Sequence, residues 1–447
     1  MKIYVIRGKE KILLNLCNLW QKKLVPICDP SDSKQANQIR GNSKNMIKNF
    51  DIIIVGGGAA GFFTAINIAE KNPKLKIAIL ERGKEVLSKV RVSGGGRCNV
   101  THACFEPNEL VKFYPRGEKE LRGPFHQFCS GDTIEWFEKH GVELKIEEDG
   151  RMFPVSNSSQ TIIDCFLKAT EKLGIKVLTG QSVQSIFKKE NHWKIDTQSD
   201  NFATEKLVMA TGSNPKIWEM LQEHGHAVVS PVPSLFTFNI KDSRIKELPG
   251  VAAQVTVNVK DTKLESTGPL LITHWGMSGP AILKLSAWGA RILHDKNYQF
   301  TIFVNWLNDV DFEDAEKILK DLKQEHAKKA VSKKSPFDFP NRLWESLVLA
   351  SGIEIETKWA DLSKVQLQNL TSQLTKAEFK VNGKSTFKEE FVTAGGIDLK
   401  EINFKTMESK IHQNLYFAGE IVNIDAITGG FNFQNAWTSG FILAQNI

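Results

Sequence analysis

The feature that most constrains this chain is a glycine-rich turn that follows a run of β-branched residues. Residues 51–55 read Asp-Ile-Ile-Ile-Val and lead into Gly56, Gly58 and Gly61, and a second apolar segment ends at Glu81. This order predicts a strand, a tight turn, a helix and a parallel strand. Amides at the helix start can face a pyrophosphate, and an acid about 20 residues beyond the last glycine can bind ribose hydroxyls. The pattern therefore predicts a dinucleotide site.

Further segments are needed to separate NAD from FAD. Residues 89–99 form a second glycine-rich turn, whose backbone amides can wrap a phosphate or the edge of a flavin. Residues 207–212 and 414–420 each predict a short strand, which ends in Ala-Thr-Gly in the first case and in Gly-Glu in the second. Residues 428–436 then open a helix near the end of the chain.

With these segments the sequence resembles FAD-containing flavoproteins of the glutathione-reductase-like fold. More narrowly, it is similar to a bacterial family variously labelled NAD(P)/FAD-dependent oxidoreductase, aminoacetone-oxidase-like flavoprotein or bile-acid dehydro-reductase-like flavoprotein. The resemblance runs from Met46 to Ile447, and its most specific motifs are residues 93–99, 273–280 and 429–434. It implies FAD as the cofactor and an oxidoreductase activity.

The resemblance also implies which residues bind the cofactor. Those near the pyrophosphate and adenosine would be Gly56, Gly58, Ala60, Gly61, Glu81, Arg82 and Val183. Those further along would be Lys89, Gly94, Arg97, Asn99, Thr211 and Gly212, followed at the ribityl group and the flavin by Gly419, Glu420, Gly430, Asn432 and Phe433. Asn423 and Ala426 depart from the family pattern, which has Asp and Gly at these positions.

Three side chains near these motifs have two interpretations each. Cys98 is either a redox or flavin-linked thiol or a small residue packed under the cofactor loop, and we favour the second. Arg97 either meets the flavin or a substrate carboxylate, or bonds loop carbonyls. His274 is either a general acid or part of a structural turn, and we favour the turn because residues 277–280 are typical of an N-cap before a helix over 281–290. We assign no catalytic acid or base and no metal ligand.

The predicted fold class is α/β. A Rossmann-like FAD-binding domain of the glutathione-reductase type is interrupted by a β-rich domain, which itself carries a small helical subdomain. We assign residues 46–224 and 391–447 to the FAD-binding domain, 225–310 and 376–390 to the β-rich domain, and 311–375 to the helical subdomain. The charge run from Glu313 to Lys334 is typical of a solvated helix face.

The net charge of +7 is unevenly distributed along the chain. Residues 1–45 carry nine Lys/Arg and three Asp/Glu, which leaves 49 against 48, or +1, for the rest. A neutral body argues against a broad phosphate-binding surface, so no nucleic-acid partner is expected. Residues 1–45 are predicted to lie outside the fold. Either translation begins at Met46, or this extension is a basic targeting or membrane-surface segment.

Cysteine usage and hydropathy indicate the class of protein. The six cysteines form no Cys-x-x-Cys pair and no zinc-type spacing, which favours reduced thiols and a cytoplasmic location. The sequence has no apolar run of the 18 or more residues that a membrane-spanning helix needs, so no span is expected. The oligomeric state is not predicted.

We expect an FAD-dependent oxidoreductase that transfers hydride between bound flavin and a small organic substrate. NAD(P)H is the preferred electron donor. It would dock transiently on the flavin, because no second complete glycine-turn unit follows the first. The open alternatives are an FAD-dependent oxidase of an amine-type substrate, a tRNA-modifying flavoprotein, and a flavin-binding protein without catalytic activity.

Overall fold

The strand predicted from the β-branched run opens the part of the chain that the structure describes. The structure is a computed structural model, and it describes residues 47–385 and 392–447. The extension over residues 1–45 and the alternative start at Met46 lie outside these residues. Up to residue 223 the elements are β1 Ile47–Val55, α1 Ala59–Lys71, β2 Ile77–Leu80, α2 Ser88–Gly96, β3 Thr101–His102, α3 Pro107–Leu110, α4 Glu118–Phe125, α5 Ser130–Lys139, β4 Leu144–Ile146, β5 Arg151–Pro154, α6 Ser159–Lys172, β6 Lys176–Leu178, β7 Val183–Lys189, β8 His192–Thr197, β9 Asn201–Met209 and α7 Pro215–Glu223.

Two further stretches complete the described chain. From residue 228 to 385 the elements are β10 Val228–Ser234, β11 Thr237–Asn239, α8 Ser243–Lys246, β12 Ala252–Val259, β13 Glu265–Thr273, β14 Gly276–Ser278, α9 Pro280–Trp288, α10 Ala290–Asp295, β15 Gln299–Asn305, α11 Phe312–Glu325, α12 Asn341–Ala350, α13 Lys364–Thr375, β16 Ala377–Asn382 and β17 Lys384–Ser385. From residue 392 they are β18 Val392–Ile397, β19 Ile402–Asn403, β20 Glu408–Ser409, β21 Leu415–Phe417 and α14 Phe431–Gln445.

β1 lies at the centre of the first sheet, which is mixed and has a parallel part formed by β21, β9, β1, β2 and β6. The strand order is β19-β20-β21-β9-β1-β2-β6, and β8 also pairs with β9 and carries β7. Ile54 of β1 lies opposite Ile79 of β2 and Val208 of β9, all in parallel register. Residues 52–55 of β1 and all of β2 are buried on both faces, which explains their continuous apolar sequences. α1 and α14 pack against each other beside this sheet.

The second sheet is antiparallel and has its own core. Its strand order is β16-β15-β12-β13-β14-β11-β17. In β12, buried and more exposed residues alternate, as expected for a sheet with one covered face. Helices α11 to α13 belong to the same core, in which the rings of Trp344 and Trp359 are stacked with centroids 6.2 Å apart.

Two connections join the sheets. β10 and β18 form a separate antiparallel pair where the chain leaves the first sheet and returns to it. Beside this pair, Arg116 donates to the buried carboxylate of Asp425 and to the carbonyl of Ala287 in α9. Residues 47–447 group into one compact unit by their contacts. The division into three domains stays a prediction.

The predicted α/β fold class with a Rossmann-like sheet is confirmed. The narrower glutathione-reductase type stays a prediction. Within residues 47–385 and 392–447, no helix combines the length and the apolar character that crossing a lipid bilayer requires.

Candidate functional site

The glycine turn is built so tightly that side chains are excluded at two positions. Gly56 has φ +116°, and a Cβ there would lie 2.3 Å from the carbonyl oxygen of Ala210. A Cβ on Gly61 would lie 2.0 Å from the carbonyl oxygen of Gly56. At Gly58, by contrast, a Cβ would meet nothing within 4 Å. The turn therefore brings α1 close to the sheet and leaves open space above Gly58, as a pyrophosphate-binding turn requires.

Glu81 follows β2 and connects its end to the turn. Its Oε2 accepts a hydrogen bond from the Gly57 amide at 2.9 Å, and its Oε1 accepts one from the Gly83 amide at 2.7 Å. The carboxylate is thereby fixed at the edge of the sheet. Its predicted role at a ribose stays a prediction.

A cavity of about 470 Å³ lies at the carboxyl ends of four parallel strands. Gly56 follows β1, Glu81 follows β2, Thr211 follows β9 and Gly419 follows β21. Parallel strands place their carboxyl ends at one edge of a sheet, which is where nucleotides bind in this class of fold. Fifteen of the eighteen predicted cofactor residues line this cavity: Gly56, Gly58, Ala60, Glu81, Arg82, Lys89, Gly94, Asn99, Thr211, Gly212, Gly419, Glu420, Gly430, Asn432 and Phe433.

Three predicted residues do not line the cavity. Gly61 packs beneath the turn, and Val183 lies in β7. Arg97 pairs with Glu147 at 2.5 Å and lies over the ring of Phe153 at 3.8 Å, and its role at the cofactor stays a prediction.

Lys89 and Glu420 meet across the cavity. The Lys89 Nζ lies 2.8 Å from Glu420 Oε2, and Glu420 Oε1 accepts from the amide of Thr393 at 3.1 Å. An ion pair formed by two cavity-lining side chains is available to exchange partners when a polar ligand binds there.

The start of α14 forms the far end of the cavity. Gly430 precedes this helix with φ +94°, and a Cβ there would lie 2.5 Å from the carbonyl oxygen of Thr101. The Asn432 side chain accepts from the Ala426 amide at 2.9 Å and donates to the Ala426 carbonyl at 3.1 Å. Phe433 stacks on Trp437 with ring centroids 5.5 Å apart. The positive end of the α14 dipole therefore points into the cavity from a fixed backbone.

His102 supports this end of the cavity from behind. Its Nδ1 lies 3.1 Å from the carbonyl oxygen of Gly429, and its ring packs on Phe431 with centroids 4.5 Å apart. Burial lowers the pKa of His102 below its ordinary value. A neutral imidazole with Nδ1 protonated donates to Gly429 and holds the glycine segment in place. The sequence analysis assigned His102 no role, since the contact joins residues 327 positions apart.

The structure supports the favoured interpretations of Cys98 and His274. Cys98 is fully buried, and burial raises the pKa of its thiol to about 12, so the reactive thiolate is suppressed. His274 is exposed on the turn between β13 and β14 and does not line the cavity. The predicted turn and helix follow it, and α9 begins at Pro280.

The sequence analysis missed the residues that close the cavity from other parts of the chain. Arg151 comes from β5, Leu235 follows β10, Leu283 lies in α9 and Val392 begins β18. No local pattern distinguishes these residues, because each reaches the cavity through the packing of its own element. Leu235 has a left-handed backbone with φ 55°, an unusual conformation for a branched side chain.

The backbone around Leu235 is held on both sides. Ser234 donates to Asp425 at 2.8 Å, and the Phe236 amide donates to Ser286 at 3.0 Å. The ion pair of Arg116 and Asp425 is therefore connected to the cavity wall through one residue. Such over-determined contacts are what keeps a strained conformation in place.

The residues present fit FAD. The open space above Gly58 can receive a pyrophosphate, and the carboxylates of Glu81 and Glu420 follow β2 and β21, on either side of the glycine turn, where hydroxyl groups of the cofactor would pass. The buried hydroxyl of Thr211 has no hydrogen-bond partner among the described residues. The start of α14 supplies backbone amides where the flavin ring would lie.

Comparisons with known proteins agree with this fit. The model of the family described as "HI0933-like protein Rossmann domain" matches residues 50–446. A ribosomal RNA dihydrouridine synthase of Escherichia coli is 29% identical over 412 residues, which cover 90% of this chain and 98% of that protein. A protein of the same name from Haemophilus influenzae is 29% identical over 409 residues, covering 88% and 98%. A 3-dehydro-bile acid delta(4,6)-reductase of Clostridium scindens is 23% identical over 403 residues, covering 88% and 97%.

These findings confirm some predictions and correct one. The prediction of FAD as cofactor and of an oxidoreductase is confirmed. The expectation of no nucleic-acid partner is wrong, because two relatives that match nearly the whole chain act by name on ribosomal RNA. The expectation failed because a net charge summed over residues 46–447 does not reveal whether like charges cluster locally on the surface. From residue 50 to residue 446, this chain belongs to the HI0933-like family of FAD-binding Rossmann proteins.

Proposed function

We propose that the protein is an NAD(P)H-linked, FAD-dependent reductase that saturates a carbon–carbon double bond of a uracil base in RNA. The observation that carries this proposal is the part of the cavity wall that lies outside the predicted cofactor motifs, which we call the second wall. Leu235, Leu283 and Ile427 add large apolar side chains to a site whose strand-end residues are glycines and polar groups, and Arg151 adds a cation. Apolar walls with a few polar groups are typical of sites that bind a flat organic ring.

The reaction requires the chain to bind the cofactor, stabilise negative charge, exclude water and orient the substrate. FAD supplies the hydride chemistry when it is bound. The amides at the start of α14 stabilise negative charge at the far end of the cavity. The leucine and isoleucine side chains exclude water from the ring that is to be reduced, and Arg151, which also pairs with Asp149 at 2.7 Å, can orient a carbonyl or phosphate oxygen. His102 acts as a positioning residue through Gly429.

The relatives support this substrate chemistry. A dihydrouridine synthase and a delta(4,6)-reductase are both named for the saturation of a carbon–carbon double bond. In uracil that bond is conjugated with a carbonyl group, which accepts the electrons as hydride adds to one carbon, and a proton from solvent then adds to the other carbon. We place RNA before a small unsaturated carbonyl compound, because the RNA-directed relatives are the more similar in sequence.

A base in RNA has to leave its stack to reach such a cavity. Enzymes that act on a nucleobase commonly take it from a single strand or turn it out of the helix. The mouth of the cavity then has to accept one nucleotide while the remaining RNA lies on the surface. NAD(P)H would enter through the same opening before the RNA binds. A cytoplasmic location, where both are present, is part of this proposal.

Anaerobic spectroscopy tests the proposal. We expect NADH or NADPH to bleach the flavin absorbance promptly, and a uridine-containing RNA to restore it. Mass spectrometry of the RNA should show a gain of two hydrogens on the reduced base. A flavin that neither NADH nor NADPH reduces would overturn the proposal of an NAD(P)H-linked reductase. Reoxidation by an unsaturated ketone but not by RNA would replace RNA with the small substrate, and reduction by an amine alone would favour the oxidase.

A pair of variants tests the second wall directly. Leu283→Arg introduces a charged side chain into the cavity, so we expect reoxidation by RNA to be lost while FAD still binds. Ile292→Arg makes the same change in α10, at a position where 43% of the side chain is already exposed, and should behave as the unchanged protein. Equal rates for both variants would mean that Leu283 does not contact the substrate.

A further inference from the structure

The loop after α11 carries positive charge that the cofactor cavity does not use. We call residues 326–334 the lysine loop. This loop contains no Asp or Glu, and its four lysines are all exposed: Lys328, Lys329, Lys333 and Lys334. Such a run differs from the mixed charges of the helix that precedes it.

The contrast with α11 lies in how the charges are paired. In α11 the Nζ of Lys320 lies 2.7 Å from Glu316 Oε2, so a carboxylate one turn away neutralises it. Within the described residues, no lysine of the lysine loop forms an ion pair with a carboxylate. The nearest recorded partner of Lys329 Nζ is the His326 ring at 3.3 Å. The charge run predicted as one solvated face therefore divides into a helix of mixed charges that contains the Lys320–Glu316 ion pair and a loop whose charged residues are all lysines apart from His326.

The lysine loop is held in a fixed position. The Val331 amide donates to the Thr357 carbonyl at 2.9 Å, and the Trp359 amide donates to the Lys329 carbonyl at 3.0 Å. Trp344 Nε1 also donates to the Val331 carbonyl at 2.7 Å, and the Val331 side chain is fully buried. The lysine side chains consequently project from a backbone that is anchored to the core of the second sheet.

The backbone pairing of the lysine loop with the segment around residue 358 adds a fifth lysine. A β-bridge places Ala330 opposite Lys358, which is exposed. Glu354, Glu356 and Asp361 also lie exposed on the facing segment, and Glu325 directly precedes the loop. Five lysines against four carboxylates leave a small excess of positive charge, and the four lysines within the loop are the part without an acidic residue among them.

We infer that the lysine loop, together with Lys358, is a docking surface for the phosphate backbone of RNA. The inference rests on the proposed function, in which the reduced base is presented by an RNA. Only one nucleotide enters the cavity, so the remaining backbone has to be held elsewhere. Exposed lysines are compact charges that contact phosphates without reading base sequence, and they release counterions from the RNA as they bind. RNA is the polyanion that the proposed substrate brings with it.

Charge removal at the docking surface tests the inference. The triple variant Lys328→Gln, Lys333→Gln and Lys334→Gln removes three charges, keeps polar side chains at these positions and leaves the anchored residues Val331 and Trp359 unchanged. The matched control removes three exposed lysines from α6 and β6 through Lys168→Gln, Lys172→Gln and Lys176→Gln. Both variants have the same net charge. Thermal unfolding establishes that both are folded.

Binding is measured by the fluorescence anisotropy of a labelled RNA hairpin. The hairpin has about 16 base pairs, the length that a double-stranded RNA module spans, and a uridine-rich loop. Titrations run between about 50 and 200 mM salt. We expect the slope of log affinity against log salt to fall by about three in the triple variant, or about one per phosphate contact. Its affinity at the lowest salt should fall about tenfold or more, and the control should match the unchanged protein.

Reduction of the hairpin uridines is measured separately, so that the two proposals can fail independently. Equal affinities and slopes for the triple variant and the control would overturn the docking surface, whether or not the RNA is reduced. RNA binding that depends on the lysine loop, without reduction of uridine, would support the surface and reject the proposed function. Binding of an acidic peptide but not of the hairpin would overturn RNA as the partner.

Discussion

The two sheets contribute to the same cavity in different ways. In the first sheet, cavity residues directly follow parallel strands, so Gly56, Glu81, Thr211 and Gly419 arrive at one edge by topology alone. The second sheet is antiparallel, and the residues near it reach the cavity singly, such as Leu283 from α9. The strand-end residues of the cofactor site can therefore be predicted from local motifs. The residues of the second wall cannot, because their positions depend on how separate elements pack.

The largest expected effect breaks the connection between the two sheets. Asp425→Ala removes a carboxylate that is 0% exposed and leaves the guanidinium of Arg116, 14% exposed, without its partner. We expect the free energy of unfolding to fall by about 3–5 kcal/mol, as for other buried pairs that lose one member. Chemical denaturation measures the loss. Separate unfolding transitions for the two cores would show that this ion pair couples them.

A double variant separates the charge from the connection. Arg116→Met combined with Asp425→Leu replaces both charges with apolar side chains, which is often close to neutral for buried pairs. We expect the double variant to recover most of the stability that Asp425→Ala loses. A loss below about 1 kcal/mol for Asp425→Ala alone would contradict the role given to the pair.

A smaller loss of stability is expected from substitutions within the glycine turn, where Gly61 and Gly58 can be compared. Gly61→Ala places a Cβ 2.0 Å from the Gly56 carbonyl, and we expect it to destabilise the protein by about 1–3 kcal/mol through overpacking. Gly58→Ala meets no protein atom within 4 Å and should cost about 1 kcal/mol or less, as a change of N-cap. Its Cβ enters the cofactor space, so we expect FAD affinity to fall about tenfold, or about 1.4 kcal/mol.

Flavin fluorescence titration and thermal unfolding of the FAD-free protein measure these two effects independently. Gly123→Ala, at an exposed glycine of α4 with nothing within 4 Å, is the control for both. Unchanged FAD affinity in Gly58→Ala would place the pyrophosphate away from this turn.

The smallest effect is a pH dependence at the edge of the first sheet. His226 is buried, and its ring contacts Glu401 at 2.8 Å and Ser409 at 3.2 Å. Burial lowers the pKa of His226 from 6.5, although Glu401 opposes this shift. The unfolded chain therefore binds the proton more readily. The stability that neutral His226 contributes is fully present above pH 6.5 and is lost as pH falls through its folded pKa.

His226→Gln removes this titration. We expect the difference in free energy of unfolding between the unchanged protein and the variant to shrink as the pH falls below 6.5, by at most about 1.4 kcal/mol for each unit of pKa shift. Denaturation at a series of pH values measures it. His102 titrates in both proteins and cancels, and His192→Gln on the surface is the control. A difference that grows in acid would mean that Glu401 dominates.

Local patterns were enough to predict most of the cofactor side. The turn at Gly56–Gly61 and the acid at Glu81 belong to one strand–turn–helix–strand unit, and the glycine before α14 belongs to a motif of the family resemblance, and they all reach the cavity or support it. The ion pair of Arg97 with Glu147 joins residues 50 positions apart, and no local pattern predicts it. The role of Arg97 at the cofactor stays a prediction.

The charge argument failed for a similar reason. The balance of +1 beyond residue 45 is correct, but folding sorts charges by position. In α11, Glu316 neutralises Lys320, whereas the lysine loop keeps its charge exposed and gains Lys358 from a distant segment. A sum over the sequence does not distinguish these two outcomes, because pairing depends on distances of a few ångströms.

By itself, the sequence determined the Rossmann-like unit, its glycine turn and a dinucleotide site, because backbone sterics and strand–turn–helix order are local properties. The choice of FAD followed from the resemblance of several separated motifs to a flavoprotein family. Tertiary structure alone decided the second wall of the cavity, the support of Gly429 by His102, and the pairing of Arg116 with Asp425. These contacts join residues that lie up to about 330 positions apart, and only the packing of complete elements brings such residues together.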